Sequence, residues 1–315
     1  MSDAEKASHT RLNLSAGLLS SAVALTLVVA KLWALDTTGS LAVAATLADS
    51  AMDLMMSLGA LAAIAYAAKP ADEDHNFGHS SAEDLAALAQ SVIILLSAAA
   101  IAGVAVWRLL QDDVALPQNE GSGIAVVVLA IVLTLGLVVW QRRVAARTGN
   151  AVVRADSLHY LGDLVPNVGA IVALWASSAL GIGQVDSVVA LGAAVFLAVG
   201  ALRIGREAWN ALMDAQADPA MIAGIERLAR DHPGVRGFHD LKTRRAGSQV
   251  FVNLHIELDG DQSLLQAHDI GAGLRHAILD AYPQTDVLIH KDPVRPGREG
   301  RIFDKGSRDD ERDDE

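Results

Sequence analysis

Asp49 and Asp53 stand one helical turn apart inside an apolar run, and His159 and Asp163 repeat that spacing inside another. Side chains four residues apart share a helix face, so the first pair can offer two oxygens to one point and the second a nitrogen and an oxygen. An aspartate at the centre of a membrane helix costs about 2.5–3.5 kcal/mol on insertion scales, so three of them require a partner or a water-filled cavity. A bound cation is such a partner. One imidazole and three carboxylates make a tetrahedral set suited to zinc, and the absence of sulfur leaves iron, manganese, cobalt or cadmium open. The competing reading puts Asp49 and Asp53 near water at a helix end and makes His159 a satisfied core residue; their place well inside a long span argues against it. Asp156, one turn before His159 but beside Arg154, reads as a surface or capping residue. Asn167, one turn beyond Asp163, reads as a support for the site or as interhelical glue, and Pro166 as a residue that loosens the helix there.

The elements that must carry these residues are membrane helices. The chain has 315 residues, 52% of them hydrophobic and only 4% aromatic, and the mean hydropathy is positive, too apolar for an ordinary soluble domain. Six segments are long enough to cross a bilayer: Leu12 to Leu35, Leu41 to Ala67, Leu85 to Leu110, Gly123 to Trp140, Val152 to Leu180 and Val185 to Leu202. The first exceeds the roughly 7–15 apolar residues of a signal peptide and is read as retained. Interleaved Ala, Gly and Ser suit close helix packing. Lys6 and Arg11, Lys69, the group Arg142, Arg143, Arg147 and Arg154, and Arg203 with Arg206 fall on alternate connections, which predicts both termini in the cytoplasm. Trp33, Trp107 and Trp140 near span ends suit interfacial anchors.

Residues 1–11 are then a cytoplasmic N-terminal segment, 12–212 a six-helix transmembrane domain, 213–295 a small α+β domain and 296–315 a disordered acidic tail. Within the third segment the pattern predicts a helix from Pro219 to Asp231, strands at Phe238 to Arg245 and Gln249 to Glu257, a helix from Leu264 to Ala281 and a strand from Asp286 to His290, an αββαβ order. The net charge of −12 gathers after Asp214 and argues against nucleic-acid binding. With no cysteine, disulfides and thiolate chemistry are excluded, leaving imidazole and carboxylate as ligands.

Two further clusters lie outside the spans. Asp72, His75 and His79 supply one carboxylate and two imidazoles within eight residues of a polar link, a zinc pattern that short polar loops also produce by chance. His239, His255, His268, His290 and Asp292 fall in the C-terminal domain, where Asp292 could bridge two metal ions, with His239 and His255 on one side and His268 and His290 on the other; scattered polar histidines are the plainer alternative. His9, His232 and His276 fit no group and are expected at the surface.

The segments Leu47-Ala-Asp-Ser-Ala-Met-Asp53, Pro70-Ala-Asp-Glu-Asp-His-Asn-Phe-Gly-His79 and Arg154-Ala-Asp-Ser-Leu-His-Tyr-Leu-Gly-Asp163 resemble the cation diffusion facilitator family, its bacterial zinc and ferrous-iron efflux branch above all. The resemblance runs from about Leu12 to Pro293. It implies a homodimer in the inner membrane, each protomer with six transmembrane helices and a cytoplasmic metallochaperone-like domain, exchanging a cytoplasmic divalent cation for protons. It also implies that Asp49, Asp53, His159 and Asp163 are the transport site, with His at 159 favouring Zn2+ over Mn2+ and leaving Fe2+, Cd2+ and Co2+ open. The loop cluster becomes a second metal site near the membrane surface, and the C-terminal cluster a binuclear site holding the dimer. Ser81 stands where relatives often carry Lys, and Lys291 where they often carry an uncharged residue. Coordination requires deprotonated ligands, so proton uptake opposes metal binding and can drive release across the membrane. An intramembrane metalloenzyme is disfavoured: no H-E-x-x-H is present and the tetrad leaves no general base. A metal sensor without transport would have no use for the buried acids.

Overall fold

The computed structural model describes residues 3–38, 41–110, 124–164 and 185–294. The chain divides into two compact units, one of Ala7–Asn210 and one that takes up the chain from Ala211.

The first unit is helical: α1 (Asp3–Thr38), α2 (Leu41–Ala67), α3 (Ser81–Leu109), α4 (Ile124–Thr148), α5 (described over 151–164) and α6 (Val185–Leu212). Five of these contain stretches long and apolar enough to cross a membrane among the described residues: Ser8–Thr37, Asp49–Ala67, Ser81–Leu109, Leu129–Thr148 and Ser187–Leu212. The fifth expected span is described only in its first half, and its remainder, with Pro166 and Asn167, lies outside the described residues, as does the acidic tail. Large apolar side chains such as Leu25, Val29, Leu96, Val132 and Val199 are exposed along these helices, the arrangement lipid requires and water penalises.

Element ends differ from the sequence expectation where charge sits on a helix. Helix α1 already begins at Asp3, α4 continues past Trp140 to Thr148 and α6 past Leu202 to Leu212. Arg142, Arg143 and Arg147 therefore ride on the last turns of α4 instead of a loop, because long basic side chains extend to the interface while the helix continues. The link to α5 shrinks to Gly149 and Asn150, with Gly149 at φ 69°.

Small residues seat α5 against α6. A Cβ on Gly200 would lie 2.8 Å from a Leu158 methyl, and one on Gly162 would lie 3.1 Å from Leu197. Each helix thus lends a leucine to a glycine notch in the other, which fixes how α5 is turned.

The second unit has the order α7 (Pro219–Asp231), β1 (Gly237–Ala246), β2 (Gln249–Asp259), α8 (Leu264–Ala281) and β3 (Thr285–Val294). Both helices match the expected ranges, since their start signals are explicit: Asp218 caps α7 with Pro219 at its first position, and Ser263 with Gln266 forms a capping box on α8. The sheet order is β1-β2-β3, antiparallel then parallel. Val250, Val252, Leu254, Ile256 and Leu258 of β2 alternate onto one face and are buried with Ile225, Ala229, Leu274 and Ile278 of the helices. The opposite face carries the intervening residues of β2. Strand β3 runs to Val294 through Pro293, which an edge strand tolerates because the missing N–H faces no ladder partner.

Candidate metal centres

In the membrane unit, α2 and α5 bring Asp53, His159 and Asp163 together, with one ligand atom from each within 4.8 Å of the others. His159 Nε2 lies 3.2 Å from Asp53 Oδ1 and 3.9 Å from Asp163 Oδ2. The histidine and Asp53 side chains are 14% and 20% exposed, and that of Asp163 is 43% exposed although its Oδ2, the oxygen facing His159, is buried. Asp49, one turn earlier on α2, is exposed and stands outside this group.

Below the cluster runs a chain of buried hydrogen bonds. Ser57, one turn after Asp53 on α2, meets the Tyr160 hydroxyl at 2.7 Å and accepts from Ser20 Oγ of α1 at 2.8 Å. Ser20 Oγ also lies 2.7 Å from Asp156 Oδ2, which accepts from Gln141 Nε2 of α4 at 2.6 Å. Asp156 is thus not the surface or capping residue its neighbour Arg154 suggested. It is 2% exposed, because the face of α5 that carries 156, 159, 160 and 163 turns inward, while Arg154 points away to pair with Glu207 at 2.7 Å. The network ties α1, α2, α4 and α5 together one turn from the ligands and holds the face of α5 that presents His159.

Lys31 is a residue the sequence reading passed over. It sits inside the apolar stretch of α1, half-buried, and its Nζ donates to Ser50 Oγ at 2.7 Å. Its signal was available: an ionisable residue in a span is functional by default.

The loop cluster is preformed. Asp72 Oδ1 accepts the backbone N–H of His75 at 2.7 Å and of Asp74 at 3.2 Å, an Asx turn that sets the carboxylate beside His75. Gly78, at φ 82°, lets the chain double back, so that His79 Nε2 lies 3.2 Å from Asp72 Oδ2 and His75 Nδ1 3.3 Å from Asp72 Oδ1. His79 is buried against Tyr66, while Asp72 and His75 are exposed. The His75 backbone hydrogen bond is the main reason that Asp72 titrates below the usual carboxylate range, aided by the imidazoles beside it.

In the second unit the sheet itself lines up the ligands. His239 pairs with His255 across β1 and β2, and His255 with His290 across β2 and β3. Directly paired residues share a face, so three imidazoles form a row, their ring centroids 5.1 and 4.6 Å apart. Asp292 follows His290 by two residues and shares the face. Its Oδ2 lies 3.3 Å from His239 Nε2 and 3.0 Å from His255 Nδ1, while its Oδ1 lies 3.2 Å from His290 Nε2. One carboxylate oxygen serves one histidine pair and the other serves His290. Asp240, at φ 53°, lies in the irregular pairing between His239 and Lys242 that re-aims β1 beside the site. His268, on α8, is exposed and outside the His239, His255 and Asp292 group. His232 is half-buried at the end of α7, and His276 is exposed.

Comparison with known proteins decides the lineage. Residues 17–213 match the cation efflux transmembrane domain and residues 217–294 the cation efflux cytoplasmic domain. The chain belongs to the cation diffusion facilitator family. Within it the chain is 40% identical over 296 residues to the cation-efflux pump FieF of Serratia proteamaculans, covering 93% of this chain and 98% of that one. It is 39% identical over 299 residues to FieF of Salmonella typhimurium, covering 94% and 98%. Among solved structures, the zinc form of CzrB is 30% identical over 25% of this chain and 90% of its own, with a TM-score of 0.24. A MamM C-terminal domain is 24% identical over 24% and 96%, with a TM-score of 0.23. The protein is a FieF-like member of the family: a multi-pass membrane transporter of divalent metal cations, with a small α/β cytoplasmic domain, and not an enzyme.

Proposed function

We propose that Asp53, His159 and Asp163, completed by Asp49, bind one divalent cation inside the membrane and that the protein exports it from the cytoplasm in exchange for protons, with zinc the main cargo and iron(II) or cadmium secondary. The observation that carries this is the approach of His159 to Asp53 at 3.2 Å between two membrane helices, with Asp163 one turn along α5. A nitrogen donor among carboxylates suits zinc better than manganese. Asp49 lies one turn along α2, within reach of the same ion once the cation draws its carboxylate inward.

Each of these ligands binds metal only when deprotonated, so protons and metal compete for one set of atoms and a proton gradient supplies the driving force. Ligands divided between α2 and α5 suit alternating access, because displacing one helix against the other opens the set.

The cytoplasmic domains form a homodimer. Leu288, on the metal-bearing face of β3, is 68% exposed, an apolar side chain that a second copy would cover. A metal pair on Asp292 would stiffen the face beside it. Arg142, Arg143, Arg147, Arg154, Arg203 and Arg206 collect at the same ends of α4, α5 and α6, which supports an inner-membrane protein with both termini cytoplasmic.

Zinc flux into proteoliposomes, with and without an imposed pH gradient, tests the reading on the intact chain and on Asp49→Ala/Asp163→Ala. Gradient-driven flux that disappears in the double variant is expected. Flux that ignores the gradient, or survives the substitutions, overturns it.

A further inference from the structure

Lys31 is a cation placed deep in the apolar stretch of α1, and it belongs to no element of the ligand set. Its Nζ is fixed by donation to Ser50 Oγ at 2.7 Å, and Ser50 is 2% exposed between Asp49 and Asp53 on α2. Ser50 follows Asp49 directly and precedes Asp53 by three residues, so this bond brings the ammonium to the stretch of α2 that carries both carboxylates. A lysine in a span is about as costly as an aspartate, and a lysine free to extend would carry its head to the interface. Here the head turns sideways into the helix bundle, held by a serine that the ligand helix itself supplies.

We propose that Lys31 is a fixed positive charge of the transport site, which sets the site's net charge to that of a divalent cation and keeps the bound ion releasable. This inference rests on the reading of Asp49, Asp53, His159 and Asp163 as that site.

Three ionised carboxylates, a neutral imidazole and one ammonium leave two negative charges, which one divalent cation cancels. In a low-dielectric setting the loaded site is then neutral and can move between the two sides without carrying charge through apolar surroundings. Without the ammonium the same ligands would leave a residual negative charge around the metal and hold it more tightly. Lys31 donates no lone pair to the metal while it is an ammonium, so its action is repulsion at a distance, opposing the ion's binding and aiding its departure. It is a positioning residue for charge and not a ligand.

The test is zinc flux in proteoliposomes of the full chain, read as KM and maximal rate separately. Lys31→Gln is expected to lower KM about tenfold and to lower the maximal rate by a similar factor, because a tighter ion leaves more slowly. Lys31→Arg, which keeps the charge, is expected to stay within about threefold of the parent in both. Ser50→Ala removes the serine's hold on the ammonium without altering charge and is expected to shift KM by about two- to threefold; it provides the test if the glutamine variant does not fold. A KM for Lys31→Gln within twofold of the parent overturns the proposal, as does an unchanged KM for Ser50→Ala where Lys31→Gln yields no folded protein. Asp53→Ala, run alongside, separates the two claims. If it transports zinc like the parent, the site assignment itself fails; if it is inactive while Lys31→Gln is normal, only the role of Lys31 fails.

Discussion

The intramembrane cluster and the sheet cluster use the same two ligand types and are built in opposite ways. In the membrane, Asp53 and His159 reach each other from different helices, joined there by side chains alone, with the Ser57–Tyr160 contact one turn away as a second rung. In the cytoplasmic domain, His239, His255 and His290 are locked side by side by backbone ladders, and Asp292 follows two residues along the same strand. A helix pair can slide or tilt by an ångström or two without breaking its own hydrogen bonds, whereas a strand cannot leave its neighbour without losing a ladder. Such a difference would suit an ion that comes and goes at the first and one that stays at the second. The loop cluster stands between: Asp72 and His75 are held by a turn, and His79 by burial at the head of α3.

The comparison is most sharply tested by removing one carboxylate from each centre. Asp53→Ala should reduce zinc flux by more than about a hundredfold while the protein still elutes as the parent species. Retained flux would mean that the sliding helix pair is not the route. Asp292→Ala should remove zinc from the cytoplasmic domain, read as fewer zinc ions bound per full-length chain after dialysis, and should leave intramembrane flux within about fivefold of the parent. Loss of flux as complete as that of Asp53→Ala would show that the rigid site is part of the path.

His159→Asp should shift preference from zinc toward manganese by about tenfold in competition flux, since an oxygen replaces the nitrogen donor. An unchanged zinc-to-manganese ratio would detach selectivity from this residue. The smallest expected effect concerns the loop. Asp72 titrates below the usual carboxylate range, so whatever its ionised form contributes is complete above that range and is lost only as pH falls through the lowered value. Between pH 7 and pH 5 its share is therefore constant, and the zinc-affinity ratio of the parent to Asp72→Asn at the loop should hold within about twofold, even as imidazole protonation weakens both. A ratio that collapses toward one at pH 5 would show that Asp72 titrates in that window.

Much of this was legible in the chain. The apolar pattern placed α7 and α8, alternation placed β2, and of the paired ligand candidates in the apolar runs Asp53, His159 and Asp163 come together while Asp49 stands apart. What was hidden depended on partners distant in sequence. Asp156 looked like an edge residue because Arg154 is two positions away, yet its environment is set by Ser20 and Gln141, on two other helices. The row of three histidines depends on strand register, which spacing along one chain does not specify. Lys31 was visible as a charge in a span, but its orientation toward Ser50 follows from how α1 and α2 pack. The extension of α4 beyond Trp140 was obscured because hydropathy marks where lipid ends and not where the helix does.

The parallel pairing of β2 with β3 has a further consequence. A slip of β3 by one residue would send His290 and Asp292 to the helix-covered side and bring Leu288 out of line with Asn253. A metal ion held by Asp292 and its histidines would favour the correctly registered sheet and drain any misregistered population by mass action.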